Sequence, residues 1–226
     1  MNKEEIKKQI LDAANFRFAC RDYDKNKKIS DEDFNFILEI GRLSPSSFGL
    51  EPWKFLVIKD NQELKQKIRK ISHGAEKQLD SCSHFVIVLA RKKIDTKYGS
   101  EYIVNMLNNV RKVPEEWVEG FNNSLGEFQN GSFNLFESDR AIFDWATKQT
   151  YIPLGNMMSA AAQIGIDSCA VEGFDKNELE KLLTEENIID PEHFGVSCLL
   201  AFGYREHGPA FPKTRNPFED VVEFVD

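Results

Sequence analysis

The sequence predicts a single domain of mixed α and β structure. Three observations carry that prediction. Strand-length apolar runs alternate along the chain with amphipathic, helix-spaced segments. At 226 residues and 41% apolar content, the chain can bury one sizeable core. No G-x-G-x-x-G follows the first strand and no P-loop is present, so a dinucleotide-binding Rossmann unit is not indicated.

Residues 3–14 place Ile6, Ile10, Leu11 and Ala14 at helical spacing. Residues 15–24 lose that period and read as an irregular segment carrying Arg17 and Arg21. Ser30 with Asp33 reads as a capping box, opening a helix that buries Phe34, Ile37, Leu38 and Gly41. Ser44–Trp53 is a stiff loop, because Pro45 and Pro52 fix φ and withhold N–H groups, which excludes helix. A strand follows at 54–59, then a helix capped by Asn61 with Leu64, Ile68 and Ile71 on one face. Phe85–Ala90 is a continuous apolar run, the pattern of a strand buried on both faces.

Residues 95–137 read as an inserted helical excursion, broken at Val113-Pro114 and rich in aromatics (Tyr102, Trp117, Phe121, Phe128, Phe133, Phe136). Residues 139–164 form the longest helix, with Pro153 bending it or marking its buried middle and Gly165 ending it. Ser168–Val171 is a short strand, Asp175 with Glu178 a second capping box, and Gly195–Gly203 the last buried strand. The tail, 204–226, holds Pro209, Pro212 and Pro217 and is expected to run extended over a surface.

Composition narrows the function. A net charge of −8 disfavours general nucleic-acid binding. No stretch approaches a membrane-spanning length, and Met1–Glu5 shows no signal-peptide pattern, so a cytoplasmic location is expected. The four cysteines form no C-x-x-C pair and the four histidines no metal spacing, so neither disulfides nor a metal site are expected. No G-x-S-x-G elbow supports a serine hydrolase.

Three features point to ligand chemistry, each with a plainer reading beside it. The Ser44–Trp53 loop combines Ser46, Ser47 and Gly49, suited to close approach of a polar ligand, or it is a proline corner packed by Trp53. Arg17 and Arg21, Lys213 and Arg215, and more weakly Lys77 with Gln78, gather cations in short irregular segments. They suit a phosphate or another fixed anion, or they are solvated surface pairs. Val171-Glu172-Gly173-Phe174 presents N–H groups to a flat ligand, or it is an ordinary strand-to-helix turn.

Taken in order, the motifs are Arg17-x-x-x-Arg21-x-Tyr23-Asp24, Ser44-Pro45-Ser46-Ser47 with Pro52-Trp53, and Ser83-His84. Lys148-Gln149-x-Tyr151, Gly165-Ile166-Asp167-Ser168, Glu172-Gly173-Phe174 and Pro212-Lys213-Thr214-Arg215 follow. With them the chain resembles the FMN-dependent, oxygen-insensitive NAD(P)H nitroreductases almost end to end, least over 95–137. The resemblance implies a three-layer α/β/α fold of the α+β class, with a mixed central sheet and a domain-swapped C-terminal tail. It implies a homodimer holding FMN at its interface.

It also implies roles. Arg17 and Arg215 clamp the FMN phosphate, with Lys213 beside them, and the backbone of Phe18 and Ala19 serves the same end. Arg21 lies near flavin N1 and O2, and Gln78 serves that pyrimidine end. Pro45, Ser46 and Ser47 reach the flavin from the partner subunit. Val171, Glu172 and Gly173 form the turn whose backbone N–H, at Glu172, faces flavin N5. The implied reaction is ping-pong hydride transfer from NADH or NADPH through N5 to nitroaromatics, quinones or enones.

Departures from the family pattern are Ala19 for serine, Phe18 for histidine and Ala75 for asparagine. Two alternatives stay open: a relative that dehalogenates substrates or fragments flavin, and an FMN-binding dimer without turnover. The excursion's aromatics either roof the pocket or form ordinary core. Cys20 reads as an inert small residue rather than a redox thiol.

Overall fold

The computed structural model describes residues 2–225. Its frame is a sheet of β1 (Trp53–Ile58), β2 (His84–Arg91), β3 (Asp167–Val171) and β4 (Phe194–Gly203), in the spatial order β1-β2-β4-β3. All three strand pairings are antiparallel. The parallel part of the expected mixed sheet is the isolated bridge between Ala19 and Ser168, because β2 and β3 both flank β4 and run against it.

Side chains alternate across a strand, and here the alternation builds two core layers. Phe85, Ile87 and Leu89 of β2, with Leu199 and Ala201 of β4, pack on one side. There they meet Leu64 and Ile68 of α3 (Gln62–Arg69), Leu79 of α4 (Glu76–Ser81) and Leu179 and Leu183 of α9 (Lys176–Glu185). Val86, Val88, Cys198, Leu200 and Phe202 face the other way. Their partners are Phe34 and Ile37 of α2 (Asp31–Arg42) and Leu154, Met157 and Ala161 of α8 (Asp139–Gln163). The result is the expected α/β/α sandwich.

Between β2 and α8 the chain winds through α5 (Lys93–Thr96), α6 (Glu101–Asn105) and α7 (Glu115–Glu127), with π-turns at Met106–Val110 and Phe128–Ser132. Its aromatics form a third apolar cluster with Phe48, Leu50 and Trp145. Trp117 and Phe133 stay exposed.

Several local expectations change. α1 (Lys3–Phe16) is capped by a reciprocal Asn2–Glu5 box, and only Ala13 of its residues is buried. Ile6, Ile10 and Leu11 remain exposed, although α1 packs against α8 and Ile10 borders the same cavity as Ala13. Ser30 and Asp175 each cap a helix, accepting from Asp33 N and Glu178 N, without the second bond of a capping box. Asp33 is a methylene shorter than the glutamate a box uses, and Asp175 N–H is already committed to Ile71 O.

Lys77 and Gln78 lie in α4 rather than in an irregular segment. The Ser44–Trp53 loop contains one 3-10 turn, Ser47–Gly49, which fits between its two prolines because such a turn needs only i→i+3 bonds. The tail contains a one-turn helix, α10 (Phe218–Val221), which starts directly after Pro217 where no further proline blocks it. Pro153 sits inside α8, in its buried middle, and Gly165 closes that helix at φ 76°. No helix among the described residues is long and apolar enough to cross a membrane.

Candidate functional site

Three cations distant in sequence converge at the C-terminal end of α1. Arg17, Lys213 and Arg215 line one cavity of about 350 Å³ with Ala13, Ala14 and Ser159, and none of its lining residues is acidic. Lys213 Nζ donates to Ala14 O, which carries the tail back onto its own chain. Among the described residues none of the three forms a salt bridge, although the protein is acidic overall. Burial holds the Lys213 ammonium below its usual range, and the charges of Arg17 and Arg215 push it the same way. Such an uncompensated cluster has the charge and donor set for a phosphate.

The second part of the site is the end of β3. Burial raises the Cys169 thiol, and the nearby Gln78 amide and the charges of Arg21 and Arg17 oppose that rise. Gln78 is buried, and its Nε2 donates to Gly74 O at 3.1 Å and meets Cys169 Sγ at 3.6 Å. Its amide N–H groups thus serve the protein, leaving only Oε1 for a ligand. Phe18, Ala19 and Arg21 border a separate depression of about 530 Å³ against His207–Phe211.

One residue past Val171 the chain turns. Gly173 O accepts from Gly74 N at 2.7 Å, and Phe174 N donates back to Glu172 O at 2.9 Å. The N–H groups of Glu172 and Gly173 have no acceptor among the described residues. Glu172 is exposed, and its carboxylate accepts a hydrogen bond from Tyr151 Oη. Free amides beside an immobilised carboxylate can donate to a ring-nitrogen acceptor.

The third part is the proline loop. Ser47 N donates to Gln149 Oε1 at 2.9 Å, and Asn156 Nδ2 donates to Ser44 Oγ at 2.8 Å. Ser46 Oγ accepts from Glu51 N at 2.8 Å. From the excursion, Arg111 Nη1 donates to Phe48 O at 3.0 Å and Tyr102 Oη to Leu50 O at 2.9 Å. Phe48 takes a left-handed φ of 55°, costly for a bulky residue. Its ring packs on Phe121 and Phe128, with centroids 5.9 and 5.1 Å away, which offsets that cost. Of the excursion's aromatics, Phe121 and Phe128 thus form core around this loop, while Trp117 and Phe133 are exposed. Gln149 and Tyr151 are two residues apart, roughly 200° around the helix axis, so α8 holds the loop and the Glu172 turn on different sides.

A family model described as "Nitroreductase family" matches residues 14–204. The chain belongs to the nitroreductase family. A Bacillus subtilis (strain 168) protein named "Putative NAD(P)H nitroreductase YfkO" is 53% identical over 221 residues, covering 98% of this chain and 99% of that protein. "Putative NAD(P)H nitroreductase SSP0379" of Staphylococcus saprophyticus is 48% identical over 222 residues, covering 98% and 99%. The crystal structure of a nitroreductase from Exiguobacterium sibiricum 255-15, described as "putative" and in complex with FMN, shares the fold. Its TM-score is 0.73 at 22% identity, over 96% of this chain and 97% of that one.

In this nitroreductase, sequence reasoning named the cations and the turn but missed the residues that hold them. Gly74 and Cys169 were not singled out, and nothing in the sequence anticipated that Asp167 and Arg205 form an ion pair, 2.6 Å apart. Gln149 and Tyr151 stood in a motif, but nothing in their spacing said which loop each would bind. All four cysteines are buried and unpaired. Burial, with a smaller push from Asp167, raises the Cys20 thiol to about 12, and burial raises Cys82 to about 11 and Cys198 to about 12. None is poised as a thiolate at neutral pH. A separate cavity of about 1240 Å³ borders Tyr151, Ser197, Phe143 and Lys97 rather than the cationic corner.

Proposed function

We propose that this nitroreductase is an FMN-containing, NAD(P)H-dependent oxidoreductase that reduces nitroaromatics, quinones or related electron-poor acceptors in two alternating half-reactions. The observation that carries the proposal is the convergence of Arg17, Lys213 and Arg215 on one cavity without an acidic lining residue. Family membership and the unpartnered N–H groups of Glu172 and Gly173 support it. When bound, FMN supplies a centre that accepts hydride from NADH or NADPH and passes two electrons to the acceptor.

The chain's own part is binding and orientation. Arg17, Lys213 and Arg215 hold the phosphate, with the backbone of Phe18 and Ala19 beside them. Arg21 sets a positive charge near the pyrimidine end, where it stabilises negative charge on N1 and O2. Gln78 offers Oε1 to that end and fixes the Gly74 loop. The Glu172 N–H, next to Val171 and Gly173, donates toward N5, while Tyr151 keeps the Glu172 carboxylate still.

Pro45, Ser46 and Ser47 complete the site from a second copy of the chain. The placement of loop and turn on different sides of α8 supports that arrangement. So does the apolar surface exposed at Ile6, Ile10, Leu11, Phe211, Phe218 and Phe224. Four unpaired thiols suit a reducing cytoplasm.

The purified protein is expected to show a flavin absorption spectrum and to be bleached anaerobically by NADH or NADPH. A colourless protein that does not bind added FMN overturns the proposal. A bound flavin that neither nucleotide bleaches removes the reductase activity and leaves a flavin-binding dimer.

A further inference from the structure

Arg205 lies outside the cationic corner, yet it is tied to the backbone of the corner's first residue. The buried Asp167 accepts Arg205 Nε at Oδ2, 2.9 Å, and Nη2 at Oδ1, 2.6 Å, and its Oδ2 also accepts Arg205 N at 3.0 Å. The same Nη2 donates to Phe16 O at 3.1 Å. The guanidinium also stacks on two rings, 3.9 Å from the Phe16 centroid and 4.6 Å from that of Phe18.

Phe16 C=O and Arg17 N–H are the two ends of one peptide group. Arg17 N donates to Ala13 O at 3.1 Å, so both ends are tied. A planar group held at both ends fixes the Cα that follows it. Arg17 is extended, at φ −66° and ψ 128°, between two phenylalanines that face Arg205. Its own side chain leaves on the other side, toward Lys213 and Arg215.

We propose that Arg205, carried by Asp167, is a positioning residue for phosphate recognition: it aims Arg17 at the anion cavity. The proposal rests on the phosphate role given to Arg17, Lys213 and Arg215 above. Asp167 balances the charge of Arg205, so its effect comes through geometry rather than field. A lysine keeps the charge but cannot hold Asp167, Phe16 O and two rings at once, because it lacks the planar fork.

The test compares FMN with riboflavin, which has the same ring system and no phosphate, binding to the flavin-stripped full chain. Arg205→Lys is expected to weaken FMN about tenfold, the effect of losing one well-aimed charge-assisted contact, and to leave riboflavin unchanged. Phe16→Leu keeps the ion pair, removes one ring, and is expected to cause a smaller loss of the same selectivity. Equal weakening of both flavins by Arg205→Lys, or unchanged FMN affinity, overturns the proposal. Should Arg205→Lys fail to fold, an unchanged FMN-to-riboflavin ratio in folded Phe16→Leu overturns it. A native protein that binds the two flavins equally well overturns the phosphate assignment itself, before any variant is compared.

Discussion

The N–H of Gly74 donates to the carbonyl of Gly173 at 2.7 Å, and the two backbones touch: a Cβ on either would lie 2.9 Å from the Cα of the other. This contact joins the loop before α4 to the turn after β3. It brings the Gln78 end and the Glu172 end of the site to one place. Backbone cannot give way as a flexible side chain can, so the close approach requires glycine on both sides.

Gly173→Ala should therefore force the two segments apart. Overpacking of this kind costs about 1–3 kcal/mol. A lowered thermal midpoint, together with faster loss of FMN on dilution, is the expected result. An unchanged midpoint and unchanged FMN retention would show that the contact has no part in holding the site.

Arg215→Ala removes one cation from a cluster with no carboxylate in its lining. Charge-assisted contacts contribute about 1.5–3 kcal/mol, so the FMN dissociation constant should rise about 10- to 100-fold. Titration by quenching of flavin fluorescence measures it. Raised salt should diminish the difference between native and variant protein, because the lost term is electrostatic. A variant that binds FMN as tightly as the native chain would move the phosphate elsewhere.

His84 predicts an acid transition. Its ring is buried, stacked on Phe34 at 3.9 Å between centroids, and Nδ1 lies 3.0 Å from Ser83 Oγ. Ser83 Oγ accepts from Ile29 N, so its hydroxyl proton is free to donate to a neutral Nδ1. Burial first, and the charge of Lys59 second, lower the His84 pKa to about 4. Between pH of about 6.5 and 4 the unfolded chain binds a proton there that the folded chain does not, so stability falls as pH falls. The loss across that window is about 3 kcal/mol. Urea unfolding at several pH values should show it, and His84→Phe should remove this component of the slope.

The helices and strands were legible because their signals are local. Phe85–Ala90 has only one reading that buries a continuous apolar run on both faces, and it forms β2. Asn61 and Gly165 stand where a cap and a C-terminal stop are needed. The first helix was less legible. Its apolar row at Ile6, Ile10 and Leu11 gave the helix correctly but not its burial, because those side chains stay exposed and only Ala13 is buried. Gln78 was named from the family resemblance, but nothing in its neighbours said that its Nε2 would be turned toward Gly74 and Cys169.

The sequence by itself determined the elements, the family and the residues able to bind an anion, because periodicity, caps and motif order are written along the chain. Only the tertiary structure decided that Arg17 meets Lys213 and Arg215, and that Arg205 holds the peptide in front of Arg17. It also decided that α8 keeps the Ser47 loop and the Glu172 turn apart. Contacts of this kind join residues as far apart as Ala14 and Lys213, separated by 199 positions. They depend on how the sheet and helices pack around one another, which no local pattern records.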